Sequence, residues 1–84
     1  MIRLFYFARL REELGTAEEE FQLPEHVHTV EQLRRHLMTR GDTWQSVLAP
    51  TKNLRVALNQ EMVKGEALIH PGDEVAFFPP VTGG

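Results

Sequence analysis

The segment 29–41, TVEQLRRHLMTRG, constrains the fold most strongly, because it predicts one amphipathic helix in a chain whose other segments mostly predict strands. Thr29 and Gln32 have the spacing of a capping box, in which each side chain satisfies a free backbone N–H of the other residue. Gly41 is expected to end the helix. The apolar side chains fall on a single stripe: Val30, Leu33, Leu37 and Met38. A helix with one apolar stripe packs against one layer, so we expect helices to cover a single face of a sheet.

Segments rich in branched and aromatic residues lie on both sides of this helix and predict strands. The predicted strands are residues 2–7, 19–23, 54–59 and 74–78, with a short strand after the turn at Asn59; the predicted short helices are residues 8–15 and 42–50. The order is therefore β-α-β-α-α-β-β-β. In a chain of 84 residues this order predicts one α+β domain built on a mixed sheet. We expect the domain to comprise residues 1–78 and a flexible, extended tail to comprise residues 79–84.

Alternation along the strands predicts an apolar surface on the sheet face away from the helices. The residues assigned to this face are Phe5, Phe7, Ala57, Ala76 and Phe78, with Met62 near them. A contiguous apolar patch usually marks a partner site. Two alternatives stay open: a loop covers these side chains, or a register shifted by one residue exchanges the two faces.

The C-terminal octapeptide, FFPPVTGG, ends in a segment that cannot fold alone. Pro79 and Pro80 favour a stiff polyproline II exit, and the six residues 79–84 span about 20 Å when extended. Gly83 and Gly84 make a chain thin enough to enter a narrow channel. The terminal carboxylate has an ordinary pKa of about 3.3–3.7, so it is ionised and can attack the α-phosphate of ATP to form an acyl-adenylate. The alternative is a frayed end without function.

Composition and charge exclude several other functions. The absence of cysteine excludes a disulfide framework, a thiolate metal site and a cysteine nucleophile. A net charge of −3 with dispersed basic residues argues against nucleic acid as a partner. No apolar run is long enough for a signal peptide or a membrane span, and we expect a cytoplasmic protein. Because the sequence has no glycine-rich phosphate loop, ATP is expected to bind to another protein.

Several polar or aromatic residues are expected to have structural roles only. His26 and His28 lack a third ligand in the sequence, so no metal site is predicted. Trp44 is expected to anchor the core. The residues expected to be solvated are the acidic run Glu18, Glu19 and Glu20 and the helix residues Arg34, Arg35 and Arg40.

Three segments of the chain resemble one known family. They are the start FYFARLREELGT, the hairpin LNQEMV and, most specifically, the tail FFPPVTGG preceded by GDEVA. The chain resembles the ubiquitin-like sulfur carriers and, among them, the MoaD-type small subunit of molybdopterin synthase. The resemblance covers nearly the whole length, although residues 21–52 are not diagnostic. It implies a β-grasp, ubiquitin-like fold.

The resemblance also implies a chemistry centred on Gly84. An E1-like activating enzyme would adenylate its carboxylate with ATP, and a sulfur donor would convert the glycyl adenylate into a thiocarboxylate. The tail would then enter the large subunit of molybdopterin synthase, within a heterotetramer, and give its sulfur to cyclic pyranopterin monophosphate. The chain would bind no cofactor of its own and would act as a non-catalytic, sulfur-donating subunit. Gly83 would allow access to the reactive carbon, and the partner contacts would be Phe7, Met62, Phe78, Pro79, Pro80, Val81 and Thr82.

Three other functions remain as alternatives. The tail could be transferred to a lysine, which would make the chain a protein modifier. The chain could supply sulfur for thiamine thiazole, although such carriers are generally shorter and lack the lead-in Phe-Phe-Pro-Pro-Val-Thr. It could also be an interaction module with an idle tail, in which case deletion of Gly83 and Gly84 would leave its activity intact.

Overall fold

The computed structural model describes residues 1–80, which form five strands and three helices in the predicted order. The elements are β1 (Ile2–Tyr6), α1 (Arg9–Leu14), β2 (Glu18–Phe21), α2 (Val30–Met38), α3 (Asp42–Val47), β3 (Arg55–Leu58), β4 (Glu61–Val63) and β5 (Glu74–Phe78). The predicted strand at residues 19–23 lies slightly too late in the chain, because the pairing with β1 begins at Glu18. The predicted boundary at Gly41 is also wrong: α2 ends at Met38, and Gly41 is the N-cap of α3.

The strands form one mixed sheet in the order β2-β1-β5-β3-β4. The neighbours β1 and β5 are parallel, whereas the other pairs are antiparallel. The register places Ala76 of β5 beside Phe5 of β1 and beside Ala57 of β3. Since β5 lies in the middle of the sheet, the chain after Phe78 leaves the sheet between β1 and β3.

The core lies between the helices and one face of the sheet, as the single apolar stripe of α2 predicts. Its fully buried members include Leu4, Tyr6, Leu33, Leu37, Val75 and Phe77. Trp44 is half-buried and packs edge-on against Tyr6, with 5.5 Å between the ring centroids, so its predicted role as a core anchor is confirmed. No helix within residues 1–80 is long and apolar enough to cross a membrane.

The predicted capping box is present at the start of α2. Thr29 Oγ1 accepts a hydrogen bond from Gln32 N at 3.1 Å, and Gln32 Oε1 accepts one from Thr29 N at 3.1 Å. The next two N–H groups, of Val30 and Glu31, donate to carbonyls of the loop between β4 and β5, at Ala67 and Gly65. The free backbone N–H groups at the start of α2 are therefore satisfied both by its own capping box and by the loop between β4 and β5.

Arg34 does not lie on the solvent face, contrary to the sequence expectation. Its half-buried guanidinium donates to the backbone carbonyls of Leu48 (2.7 Å), Ala49 and Lys52 (2.9 Å). These carbonyls follow α3, which packs alongside α2. Arg34 therefore satisfies the C-terminal end of α3 and stabilises the approach to β3.

The acidic run is not uniformly solvated either, because Glu19 joins a cluster on the helix side of the sheet. Arg40 donates to both carboxylate oxygens of Glu19, at 2.8 and 2.9 Å, and Tyr6 Oη donates to the same carboxylate at 3.0 Å. The guanidinium of Arg40 also lies over the Trp44 ring, 4.6 Å from its centroid. Arg40 stays exposed but is held by this cluster, whereas Arg35, paired with Glu31, keeps the exposed position expected of it.

The Glu19 cluster makes the stability depend on pH. The hydrogen bonds from Arg40 lower the pKa of Glu19, whereas burial raises the pKa of Tyr6. Because the pKa of Glu19 is depressed in the folded state, the unfolded state binds more protons just below the ordinary glutamate pKa. The stabilisation is therefore fully present above about pH 4.3 and is lost as the pH falls through the folded pKa.

Replacement of Glu19 by Gln is expected to lower the free energy of unfolding at pH 7 by about 1–2 kcal/mol, because Arg40 and Tyr6 lose a charged acceptor. The loss of stability below about pH 4.3 should become shallower, since one depressed carboxyl pKa is removed. Urea unfolding between neutral and acid pH measures both effects. Parallel pH curves for the two chains would contradict this assignment.

Two residues of the β3–β4 turn have a positive φ although neither is glycine. Asn59 has φ 51° and Gln60 has φ 69°. Asn59 compensates, because its Oδ1 accepts from Glu74 N at 3.0 Å and its Nδ2 donates to Asp73 Oδ1 at 3.1 Å. Gln60 has no such side-chain bond within residues 1–80.

Replacement of Gln60 by Gly is expected to raise the free energy of unfolding by about 0.5–1 kcal/mol, because glycine adopts a positive φ without steric cost. Asn59→Gly is the matched control: it relieves the same strain but removes both side-chain hydrogen bonds, so it should destabilise. The midpoint of urea unfolding, at unchanged slope, measures the difference. A lower midpoint for Gln60→Gly would contradict the prediction.

Candidate partner-binding face and C-terminal segment

The sheet face opposite the helices is apolar and open to solvent. It carries Phe5, Phe7, Ala57, Met62, Ala76 and Phe78, which we call the aromatic face. Phe7 is 41 % exposed and Met62 is 56 % exposed, although both are large and apolar. Alternation correctly predicted which residues lie on this face; its large side chains Phe7 and Met62 stay exposed, whereas Ala57 and Ala76 are buried.

Stacked phenylalanine rings form the centre of the aromatic face. The rings of Phe7 and Phe78 are nearly parallel, at 3°, with centroids 4.7 Å apart, and Phe5 lies 6.4 Å from Phe7. The parallel pairing of β1 with β5 brings these residues together, and Phe7 N extends that pairing by donating to Phe77 O at 3.2 Å. Stacking within the chain holds the rings in place, so little side-chain entropy remains to be lost when a partner docks.

Small residues beside the rings turn the aromatic face into a groove. Ala57 and Ala76 are paired across β3 and β5 and form its floor, and Met62 stands on the adjacent strand. The open groove has a volume of about 450 Å³. Gln60 and Glu74 also line it; the sequence patterns did not mark them, because the turn and the strand start that bring them to the rim are set by long-range pairing.

Ala8 lies between β1 and α1 and has an unusual backbone conformation. Its φ of 53° and ψ of −127° lie in a region that favours glycine. Leu10 N donates to Phe7 O at 3.1 Å across this turn, so the chain reverses at once from β1 into α1. The turn holds Phe7 at the end of its strand, next to Phe78. No glycine marks it in the sequence, which is why sequence patterns missed it.

The C-terminal segment begins at the edge of this aromatic face. Pro79 is half-buried and Pro80 is exposed, directly after Phe78. The other predicted tail residues, Val81, Thr82, Gly83 and Gly84, lie outside the described residues. The structure thus brings together Phe7, Met62, Phe78 and the point at which the tail leaves the sheet.

His26 and His36 lie apart from this face. The rings of His26 and His36 approach each other, with centroids 5.7 Å apart, beside Phe21 on the helix side. Among residues 1–80, no group of three or more His, Asp or Glu side chains is arranged to hold a metal ion.

A mixed five-stranded sheet with a central C-terminal strand and helices on one face defines the ubiquitin-like β-grasp class. The solved structure of SAMP1, the small archaeal modifier protein 1 of Haloferax volcanii, has this fold. It superposes with a TM-score of 0.78 at 26 % identity and covers 99 % of this chain and 98 % of that one. The expected fold class is therefore confirmed.

Within that class, the chain belongs to the ThiS family, which its residues 4–84 match. A relative from Haemophilus influenzae is 43 % identical over 84 residues, covering all of both chains. A relative from Escherichia coli is 44 % identical over 84 residues, again covering all of both. Both are called molybdopterin synthase sulfur carrier subunit, so the resemblance to MoaD-type proteins is confirmed.

Proposed function

We propose that this protein is the sulfur carrier of molybdopterin synthase and that Gly84 carries the sulfur. The observation that carries the proposal is the position of β5: it delivers the C-terminal segment from the middle of the sheet, beside the exposed aromatic face. One partner can therefore bind the aromatic face and receive the C-terminal segment at the same time. Full-length relatives at 43 % and 44 % identity, named as sulfur carrier subunits, support the same function.

The chemistry follows from the carboxylate of Gly84. It attacks the α-phosphate of ATP bound by an E1-like activating enzyme, and pyrophosphate leaves. A sulfur donor then displaces AMP from the acyl-adenylate, which leaves a C-terminal thiocarboxylate. A chain without cysteine can carry sulfur in this way because its terminal carboxyl takes the place of a thiol.

The second half of the cycle takes place on the large subunit. Residues 1–78 form the docking domain, and residues 79–84 reach about 20 Å into the partner. The partner surface is contacted by Phe7, Met62 and Phe78. The channel of the partner holds residues Pro79 to Thr82, and Gly83 gives access to the reactive carbon. The thiocarboxylate sulfur bonds to cyclic pyranopterin monophosphate, and water cleaves the acyl carbon–sulfur bond, which restores the Gly84 carboxylate. Two such transfers form a dithiolene. The complex is a cytoplasmic heterotetramer, and the catalytic side chains belong to the large subunit.

A reconstituted transfer reaction tests the proposal. The chain is incubated with ATP, the activating enzyme and a sulfur donor, then combined with the large subunit and cyclic pyranopterin monophosphate. We expect a dithiolene product that depends on ATP and on this chain. Absence of product, with a large subunit that is active with another carrier, would refute the proposed function.

The likeness to SAMP1 favours a protein modifier as a second candidate, since that neighbour is named a modifier protein. In that case an amine nitrogen, rather than sulfur, would displace AMP from the acyl-adenylate. Modification predicts lysine-linked conjugates of higher mass in the same incubation. Sulfur transfer predicts a free chain that differs by one sulfur for one oxygen.

A further inference from the structure

Three positively charged residues surround the end of the sheet from which the C-terminal segment leaves. Arg55 is paired with Phe78, the last residue of β5. Lys64 follows Val63, which pairs with Val56, so Lys64 lies at the level of Arg55. Lys52 precedes β3 in the chain, and its carbonyl accepts a hydrogen bond from Arg34 of α2 at 2.9 Å, so it borders this end from the helix side. We call these residues, Lys52, Arg55 and Lys64, the basic rim.

The basic rim makes no ion pair within residues 1–80, and all three residues are exposed. Four arginines elsewhere are paired with glutamates: Arg3, Arg9, Arg35 and Arg40. Arg34 instead binds backbone carbonyls, and Arg11 on α1 is exposed and likewise makes no ion pair within residues 1–80. In a chain of net charge −3, a group of unpaired cations at one end of the sheet is a distinct local feature.

The opposite end of the sheet carries mainly acidic residues, together with Arg3, which lies beside Glu74 and is ion-paired with Glu18. Glu74 begins β5, Asp73 precedes it, and Glu61 begins β4 after the β3–β4 turn. Hydrogen bonds keep Asp73 ionised: burial alone would raise its pKa, but the bonds from His70 N and Asn59 Nδ2 lower it overall. The aromatic face therefore lies between a positive end at the tail exit and a negative end at the turn.

The basic rim cannot act on the reacting groups when the segment is extended. If fully extended, the six residues 79–84 would span about 20 Å, which would separate Gly84 from Phe78 by that distance. That distance exceeds the Debye length of about 8 Å at physiological ionic strength. The basic rim instead faces the part of the partner's surface that surrounds the C-terminal segment where the segment leaves the sheet.

We propose that the basic rim docks against an acidic border around the mouth of the channel that receives the C-terminal segment. This inference rests on the proposed function and adds the charge of the partner surface: acidic at the channel mouth, apolar opposite the aromatic face. The rim speeds association and fixes orientation, since only one alignment along the strands matches both ends of the sheet. The stacked rings hold the complex once it has formed.

The association rate with the large subunit, measured by stopped flow over a range of salt concentrations, tests this inference. Arg55→Glu and Lys64→Glu are compared with Arg35→Glu, which makes the same change in net charge on exposed α2, away from the rim. We expect the wild-type rate to fall with salt. Each rim variant should associate about tenfold more slowly at low salt, with little change in dissociation, whereas Arg35→Glu should associate like the wild type.

Two results would overturn the inference while leaving the proposed function intact. One is a wild-type association rate that does not depend on salt. The other is an equal loss for Arg35→Glu and the rim variants, which would indicate an effect of net charge alone. Failure of the wild type to bind a large subunit that is active with another carrier would refute the proposed function and this inference together. A cooperative thermal transition verifies that each variant is folded; the midpoint of Arg35→Glu should be slightly lower, because this change places a second carboxylate beside Glu31.

Discussion

Replacement of Phe7 by Asp is expected to weaken binding to the large subunit by at least about 30-fold, equivalent to about 2 kcal/mol. Phe7 is 41 % exposed, stacks on Phe78 at 4.7 Å and stands beside the exit of the C-terminal segment. A carboxylate at this position would have to lose its water against an apolar surface without a partner. Titration calorimetry with the large subunit measures the affinity.

Leu68→Asp is the matched control for Phe7→Asp. Leu68 is also a large exposed apolar residue, at 58 %, but it lies beside the start of α2 rather than on the aromatic face. It should leave the affinity unchanged. Neither side chain belongs to the core, so Leu68→Asp should change stability little, and Phe7→Asp should lower it only by the lost stacking, about 0.5–1.5 kcal/mol. Equal affinities for Phe7→Asp and the wild type would show that the partner binds elsewhere.

Deletion of Gly83 and Gly84 is expected to abolish sulfur transfer while most of the affinity for the large subunit is retained. The deletion removes the carbon that carries sulfur and shortens the reach of the segment by about 7 Å. The aromatic face, which supplies most of the docking energy in this account, is unchanged. The truncated chain should therefore inhibit transfer by the full chain through competition for the large subunit.

A variant that keeps the length separates the two effects of this deletion. Gly83→Ala retains the terminal carboxylate but adds a Cβ where the segment must be thin, so transfer should slow without ceasing. Single-turnover rates of sulfur transfer measure both variants. Continued transfer by the truncated chain would place the sulfur elsewhere and would favour the interaction module with an idle tail.

Local patterns predicted the fold wherever one short segment determines the structure. The capping box and apolar stripe of α2 follow from spacings within one helix, and the aromatic face follows from alternation along β1 and β5. The strand order did not follow, because the parallel pairing of β1 with β5 joins residues at opposite ends of the chain. The choice among strand partners depends on the packed core and not on either strand alone.

The polar contacts were harder to predict than the apolar ones for the same reason. Arg40 reaches Glu19 across 21 positions and Arg34 reaches Lys52 across 18, so each charge looks solvated within its own segment. In the candidate site, Gln60 and Glu74 reach the edge of the apolar groove because of strand pairing between distant parts of the chain. The positive-φ turn at Ala8 was missed because glycine, which usually marks such a turn, is absent.

The intact mass of the chain tests the central claim most directly. It is measured after incubation with ATP, a sulfur donor and the activating enzyme, in parallel with a chain that lacks Gly84. We expect one sulfur to replace one oxygen in the full chain, fragmentation to assign the change to Gly84, and the truncated chain to gain nothing. An unchanged mass for the full chain, with an enzyme that modifies another carrier in the same mixture, would contradict it.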